Sequence, residues 1–123
     1  MAVKEYTNTK LRGEQFGTVL TIWDAMAALD TGKPWASADY AEKQVQAYGT
    51  FGGAVTLEGS NDPRVETDPG NAVWTAVKDV DGNAISFTGA GGALIRDNYY
   101  YLRPRAAASV SAAVVSIAGK RVK

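Results

Sequence analysis

The sequence predicts an all-β domain, a sandwich or barrel of about seven or eight short antiparallel strands behind a polar N-terminal arm. Three observations carry this reading. Apolar and polar residues alternate with period two in short runs. In Lys43–Tyr48, Val45 and Ala47 share a face; in Val55–Glu58, Val55 and Leu57 oppose Thr56 and Glu58. Turn chemistry separates the runs, most densely in Gly59-Ser60-Asn61-Asp62-Pro63 and in Asp81-Gly82. The excursions between hairpins are long, which favours a jelly-roll or Greek key over a simple meander.

Taken in order, residues 1–15 are polar and of mixed charge, with Lys4, Glu5, Lys10, Arg12 and Glu14. Such a segment buries little alone, so it reads as a frayed terminus or as an arm that orders against a partner. Residues 16–123 form the single sandwich domain. Within Phe16–Gly32, Ile22, Met26 and Leu29 fall at helical spacing and Gly32 offers a C-terminal cap. Against that, Thr18–Trp23 is rich in β-branched residues and Asp30-Thr-Gly-Lys-Pro34 is a strong turn. The balance favours a strand at about 18–24 followed by a short turn or a single helical turn.

Pro34–Tyr40 is a loop with two aromatics, in which Trp35 reads first as a lid over the sandwich edge and second as a ligand platform. Strands follow at about 42–48 and 53–58. Residues 59–72 form a long exposed loop whose carboxylates, Asp62, Glu66 and Asp68, lack the spacing of a calcium loop. A strand near 73–78, the Asp81-Gly82 turn and Ala84–Thr88 make a hairpin. Gly89-Ala-Gly-Gly92 is a turn; no Lys-Ser/Thr pair follows it, so it is not a phosphate loop. Ala93–Arg96 and Asn98–Pro104 supply a further strand or strand pair. Alternation there sets Tyr99, Tyr101 and Arg103 on one face and Tyr100 with Leu102 on the other. The last strand runs from Ser109 to about Gly119, before the basic tail Lys120–Lys123.

Composition narrows the function. Lys plus Arg and Asp plus Glu both number 13, so the formal net charge is zero. Long-range attraction to nucleic acid or to an anionic membrane is therefore weak, and self-association meets little repulsion. The chain has no cysteine and no histidine, which excludes thiolate nucleophiles, Cys- or His-based zinc sites and the commonest general base. No two acidic residues are placed by pattern on facing strands, so paired-carboxylate catalysis has no visible site. The expectation is a protein that is not an enzyme, with no cofactor, no metal, no small-molecule substrate, no nucleic acid and no membrane partner. The amino terminus has no apolar core and does not read as a signal peptide. The tyrosines beside arginines in Tyr99–Arg105 suit a protein interface or plain core better than base stacking.

A family likeness runs through the turns and tryptophans. It comprises Trp23, Asp30-Thr-Gly-Lys-Pro34, Gly49-Thr-Phe-Gly-Gly53 and Leu57-Glu-Gly-Ser-Asn-Asp62. Trp74 with Asp79 and Gly82, and then Tyr101-Leu-Arg-Pro104, complete it. The string, spread over roughly residues 18–121, resembles the small virion structural proteins of tailed bacteriophages, in particular those that decorate or cement the head. The resemblance implies a jelly-roll-like antiparallel β-sandwich that binds an icosahedral shell as a dimer or trimer. It implies the major capsid protein and further copies of this chain as partners. The location it implies is the capsid exterior, after synthesis in the bacterial host cytoplasm.

The arm would reach onto a neighbouring subunit, and its removal is expected to leave the fold intact. The interface residues expected on this basis are Trp35, Arg64, Tyr99, Tyr101, Arg103 and Arg105. Two other readings stand beside it. One is a tail or connector part of the virion; the other is a carbohydrate-binding module with Trp35, Tyr40 and Tyr99 as its platform.

Overall fold

The computed structural model describes residues 3–10 and 18–121. In chain order the strands are β1 (Val3–Lys4), β2 (Tyr6–Lys10), β3 (Thr18–Met26), β4 (Thr31–Gly32), β5 (Trp35–Ala36), β6 (Tyr40–Thr50) and β7 (Val55–Ser60). A short helix α1 (Arg64–Thr67) and a 3-10 turn (Pro69–Asn71) follow. The remaining strands are β8 (Thr75–Ala76), β9 (Ser86–Phe87), β10 (Gly91–Leu94), β11 (Tyr101–Ala106) and β12 (Ala112–Arg121).

Among the described residues these make two sheets. The five-stranded sheet has the order β10-β6-β12-β3-β2 and is antiparallel throughout. The other, seven-stranded, runs β1-β4-β11-β7-β8, with β5 also on β11 and β9 also on β7; only β1 and β4 pair in parallel. The all-β, jelly-roll-like sandwich expected from the alternation is the fold observed.

The core lies between the sheets and is built by that alternation. Val45 and Ala47 of β6, Val115 and Ile117 of β12, and Val55 and Leu57 of β7 all point inward and are buried. Trp23 and Leu102 are fully buried, each contributing roughly 1.5–3 kcal/mol of transfer free energy. The Trp23 indole N–H is satisfied by the Lys33 carbonyl at 3.1 Å.

Two bulges reset the phase. Ala25 (φ 56°) lies where the β12 register jumps from Ala113↔Met26 to Val115↔Trp23, so Trp23 and Met26 both face the core. The helical spacing of Ile22, Met26 and Leu29 marks no buried stripe, since Ile22 alternates with buried Thr21 and Trp23 and Leu29 is exposed: β3 continues to Met26, and a turn closed by Asp30 N–H on the Ala27 carbonyl follows. Glu42 (φ 51°) marks the second slip, between Ala118↔Gln44 and Lys120↔Ala41, and turns Lys43 inward.

Other expectations change. Residues 3–10 of the expected arm are strands: β1 pairs with β4, β2 forms a five-residue ladder with β3, and Tyr6 meets Trp23 edge-on at 5.6 Å. Alternating Tyr6, Asn8 and their partners make this segment an edge of the sandwich, and residues 11–15 lie outside the described residues. The 59–72 loop is not bare, because Val65 buries against the body and α1 winds around it. The expected hairpin exists, closed by the Lys78↔Ala84 bridge, with the Asp79 carboxylate accepting from Asp81 and Asn83 N–H. Its strands are shorter than expected, since each leg pairs with β7 rather than with the other leg. Gly91 and Gly92 belong to β10 and not to a turn.

Candidate interaction surface

The seven-stranded sheet turns its outer face to solvent, and register assembles the charges there. Arg103 of β11 pairs with Glu58 of β7, and Arg105 with Thr56. Arg103 Nε donates to Glu58 Oε1 at 2.9 Å, and Arg105 Nη1 lies 3.6 Å from Glu58 Oε2. The Arg103 guanidinium also stacks 3.9 Å from the centroid of the Trp74 ring. One carboxylate thus serves two guanidiniums. Arg103 is held between Glu58 and Trp74, whereas the Arg105 side chain stays 58% exposed and is the one presented outward. Planar guanidiniums fixed beside an aromatic ring suit docking onto carboxylates or backbone carbonyls of a protein partner.

Toward α1 the same face carries Tyr101. Its hydroxyl donates to Glu66 Oε2 at 2.5 Å, and that bond, with burial second, pushes the phenol up to about 12. Two hollows flank this bond. One, about 370 Å³, is lined by Tyr6, Lys33 and Pro34; the other, about 420 Å³, by Asn61, Pro63 and the exposed Tyr100. At the rim, Arg64 is clasped by Asp62 through Nη2–Oδ2 at 2.8 Å. Asp62 also accepts the N–H groups of Arg64 and Val73, each at 2.9 Å. Its hydrogen bonds from the Arg64 side chain, and next from these backbone groups, hold its carboxyl well below the usual carboxylate range. Arg64 is therefore a loop clasp as well as a surface charge.

Inside the sandwich the bulge at Glu42 buries Lys43 (2% exposed). Its ammonium donates to the Ser37 carbonyl at 3.2 Å, the Tyr40 carbonyl at 2.6 Å and Asn98 Oδ1. Burial pushes its pKa down to about 8. Gly119 makes the room: a Cβ there would stand 2.9 Å from Tyr40 Cβ and 3.2 Å from Lys43 Cγ. This node ties the loop after β5 to the segment before β11.

The six residues expected at an interface divide. Arg103 and Arg105 come together on the outer face, with Arg64 on the adjoining helix; Tyr101 lies on their side of β11 but is buried, its hydroxyl bonded to Glu66. Trp35 does not join them: it pairs through β5 with Leu102, is 3% exposed and stacks on Tyr40 at 5.4 Å. Tyr99 precedes the strand and does not share the face of Tyr101. It packs on the core over Gly59, where a Cβ would fall 2.4 Å from its ring. The platform of Trp35, Tyr40 and Tyr99 is thereby removed as a glycan surface, because Trp35 and Tyr99 pack inward. Glu58, Glu66 and Trp74 were not among the expected site residues. Alternation already pointed Glu58 outward, but its pairing with Arg103 depends on a register that the sequence does not display. Among the described residues no group of three or more Asp or Glu gathers to hold a metal, and no helix is long and apolar enough to cross a membrane.

No protein-family model and no curated protein matches this sequence. Among solved structures, the chain is similar to the SPBc2 prophage-derived protein YomS at 10% identity and a TM-score of 0.58, over 90% of this chain and 98% of that one. The fold is shared. Looser likenesses join it to a cupin domain from Bordetella pertussis Tohama I (13% identity, TM-score 0.41, 98% of each chain). The Schizosaccharomyces pombe Cnp3 cupin domain is another (8%, TM-score 0.47, 94% of this chain and 59% of that one). These two carry no argument about function, and the first carries the fold alone.

Proposed function

We propose that this protein is a non-enzymatic structural component of a bacteriophage virion, and more narrowly a capsid decoration or cement protein that binds the assembled head. The observation behind the reading is the end-to-end match of its fold to a prophage-derived protein, over 90% of this chain and 98% of the other. The sequence resemblance to virion structural proteins points the same way. The Arg103–Glu58–Arg105 face with Trp74 supplies a rigid, partly charged patch suited to a protein surface, and the major capsid protein is its partner in this reading.

The physics of such a role is linkage. A ligand that binds only the assembled shell stabilises that state by its binding free energy, and many copies make modest affinity per site sufficient. Quantitative mass spectrometry of purified particles is the test. A count on the order of hundreds, comparable with the major capsid protein, supports the head assignment, because multivalent coverage requires it. A count of about six or twelve moves the protein to the tail or connector, where closed rings set the number. Absence from particles overturns the virion reading.

A further inference from the structure

The outer face of the five-stranded sheet differs in kind from the charged face opposite. Its middle row is Gln46, Ser116 and Ile22, aligned across β6, β12 and β3. One row toward one end lie Gln44, Ala118 and Leu20, with Leu94 of β10 beside Gln44. One row toward the other lie Tyr48 and Val114. No charge lies in the first two of these rows, and the third continues onto Asp24 of β3, opposite Val114 at the bulge. Leu94 is 40% exposed and Tyr48 50%, so the face holds apolar surface that nothing among the described residues covers. Asp24, exposed, stands at the β3 end of the Tyr48–Val114 row, and Lys120, also exposed, lies one row beyond Ala118.

We propose that this face is the interface of a two-fold dimer, in which Tyr48 of each copy seats in a trough on the other. The trough occupies about 360 Å³ and is floored by Gln44, Gly92, Leu94 and Ala118. A two-fold axis midway between the facing sheets, parallel to them and running across the strands over the Gln46–Ser116–Ile22 row, reverses the strand direction of the second copy. It carries the Tyr48 row of one copy onto the Gln44–Ala118 row of the other, so knob meets hole twice. The same operation sets Asp24 of one copy over the Leu20 position of the other, one row from Lys120 on the neighbouring strand. Gln46 meets its own counterpart near the axis, and an amide carries both donors and acceptors, so it is self-complementary.

Area is consistent with this occupant. Five strands at about 4.8 Å spacing, with outward rows covering about 20 Å of strand, give roughly 500 Å² in projection per copy. Two such faces bury on the order of 1,000 Å², the lower bound of a specific interface. Aligned sheet-on-sheet packing about 10 Å apart accommodates the side chains present. The inference does not depend on the virion reading.

Sedimentation equilibrium of the purified protein from about 1 to 200 μM tests it, a range that brackets micromolar affinity. The wild type is expected to pass from monomer to dimer within that range. Tyr48→Ala removes an exposed ring, leaves the core untouched and is expected to weaken the dimer about tenfold or more, the loss expected of a hot-spot tyrosine. Ser116→Glu sets two carboxylates against each other at the axis and is expected to abolish it. A wild type that stays monomeric, a trimer, or a dimer indifferent to both Tyr48→Ala and Ser116→Glu overturns the proposal. Circular dichroism of each variant separates loss of dimer from loss of fold, and Tyr48→Ala decides the matter if Ser116→Glu does not fold.

Discussion

Lys43 is a charge placed where water is not. Burial disfavours its ammonium, but three oxygen acceptors from two segments surround the nitrogen and favour a donor-only group. The balance leaves its pKa at about 8 in the folded protein, against 10.5 for the free side chain. Between those values the unfolded chain binds more protons than the folded one, so stability rises with pH through that window. Below about 8 both states are protonated and this contribution to the slope vanishes. Urea midpoints taken from neutral pH to about 9.5, below the ordinary titration of tyrosine, should therefore increase. Lys43→Met should flatten that rise. It should also cost about 1–3 kcal/mol at neutral pH, because the Ser37 and Tyr40 carbonyls and the Asn98 amide oxygen lose their donor. A flat wild-type profile would mean that the three acceptors fully offset the burial.

At the scale of elements, the period-two runs that carried the sequence reading are the strands that hold the core, β6, β7 and β12. They were legible because one face of each is buried along most of its length. Legibility failed where the phase slips, at Ala25 and Glu42, since a bulge needs only one residue of positive φ and leaves no compositional mark there. It failed again in two-residue strands such as β5, too short to show a period, so the burial of Trp35 depends on a pairing partner far along the chain. The N-terminal residues misled for a related reason. Tyr6, Thr7 and Asn8 look like a polar arm, yet an edge strand needs only a ladder and one aromatic contact. Deleting residues 1–10 should expose one edge of Trp23 and remove the β2 ladder. A melting temperature lower by several degrees and a red-shifted tryptophan emission are the expected outcome. Unchanged melting would return this segment to the role of a dispensable arm.

The whole molecule presents two unlike faces on opposite sides of one core. The charged one was partly legible, because Tyr101, Arg103 and Arg105 alternate in sequence; its acidic and aromatic partners were not, because Glu58 arrives from β7, Glu66 from α1 and Trp74 from the end of the long loop. If the charged face meets the shell, Arg105 is the exposed guanidinium that Glu58 only half neutralises. Arg105→Glu should then weaken attachment to shells about tenfold or more, and raising salt to about 0.5 M should weaken the wild type in the same direction.

The uncharged face gives that experiment a second arm. A dimer joined through the five-stranded sheets turns its two charged faces in opposite directions, so only one of them can lie on a shell at a time. Each attachment site then carries two copies, one bound through Arg105 and one riding on the first. Ser116→Glu removes the rider without touching the attachment face, so copies per particle should fall to about half at saturating protein, measured on shells depleted of the native protein and recharged. Arg105→Glu should instead empty the sites. A Ser116→Glu count equal to the wild type would show that the dimer does not persist on the shell, whereas its complete loss from particles would place the uncharged face against the capsid and the arginines toward solvent.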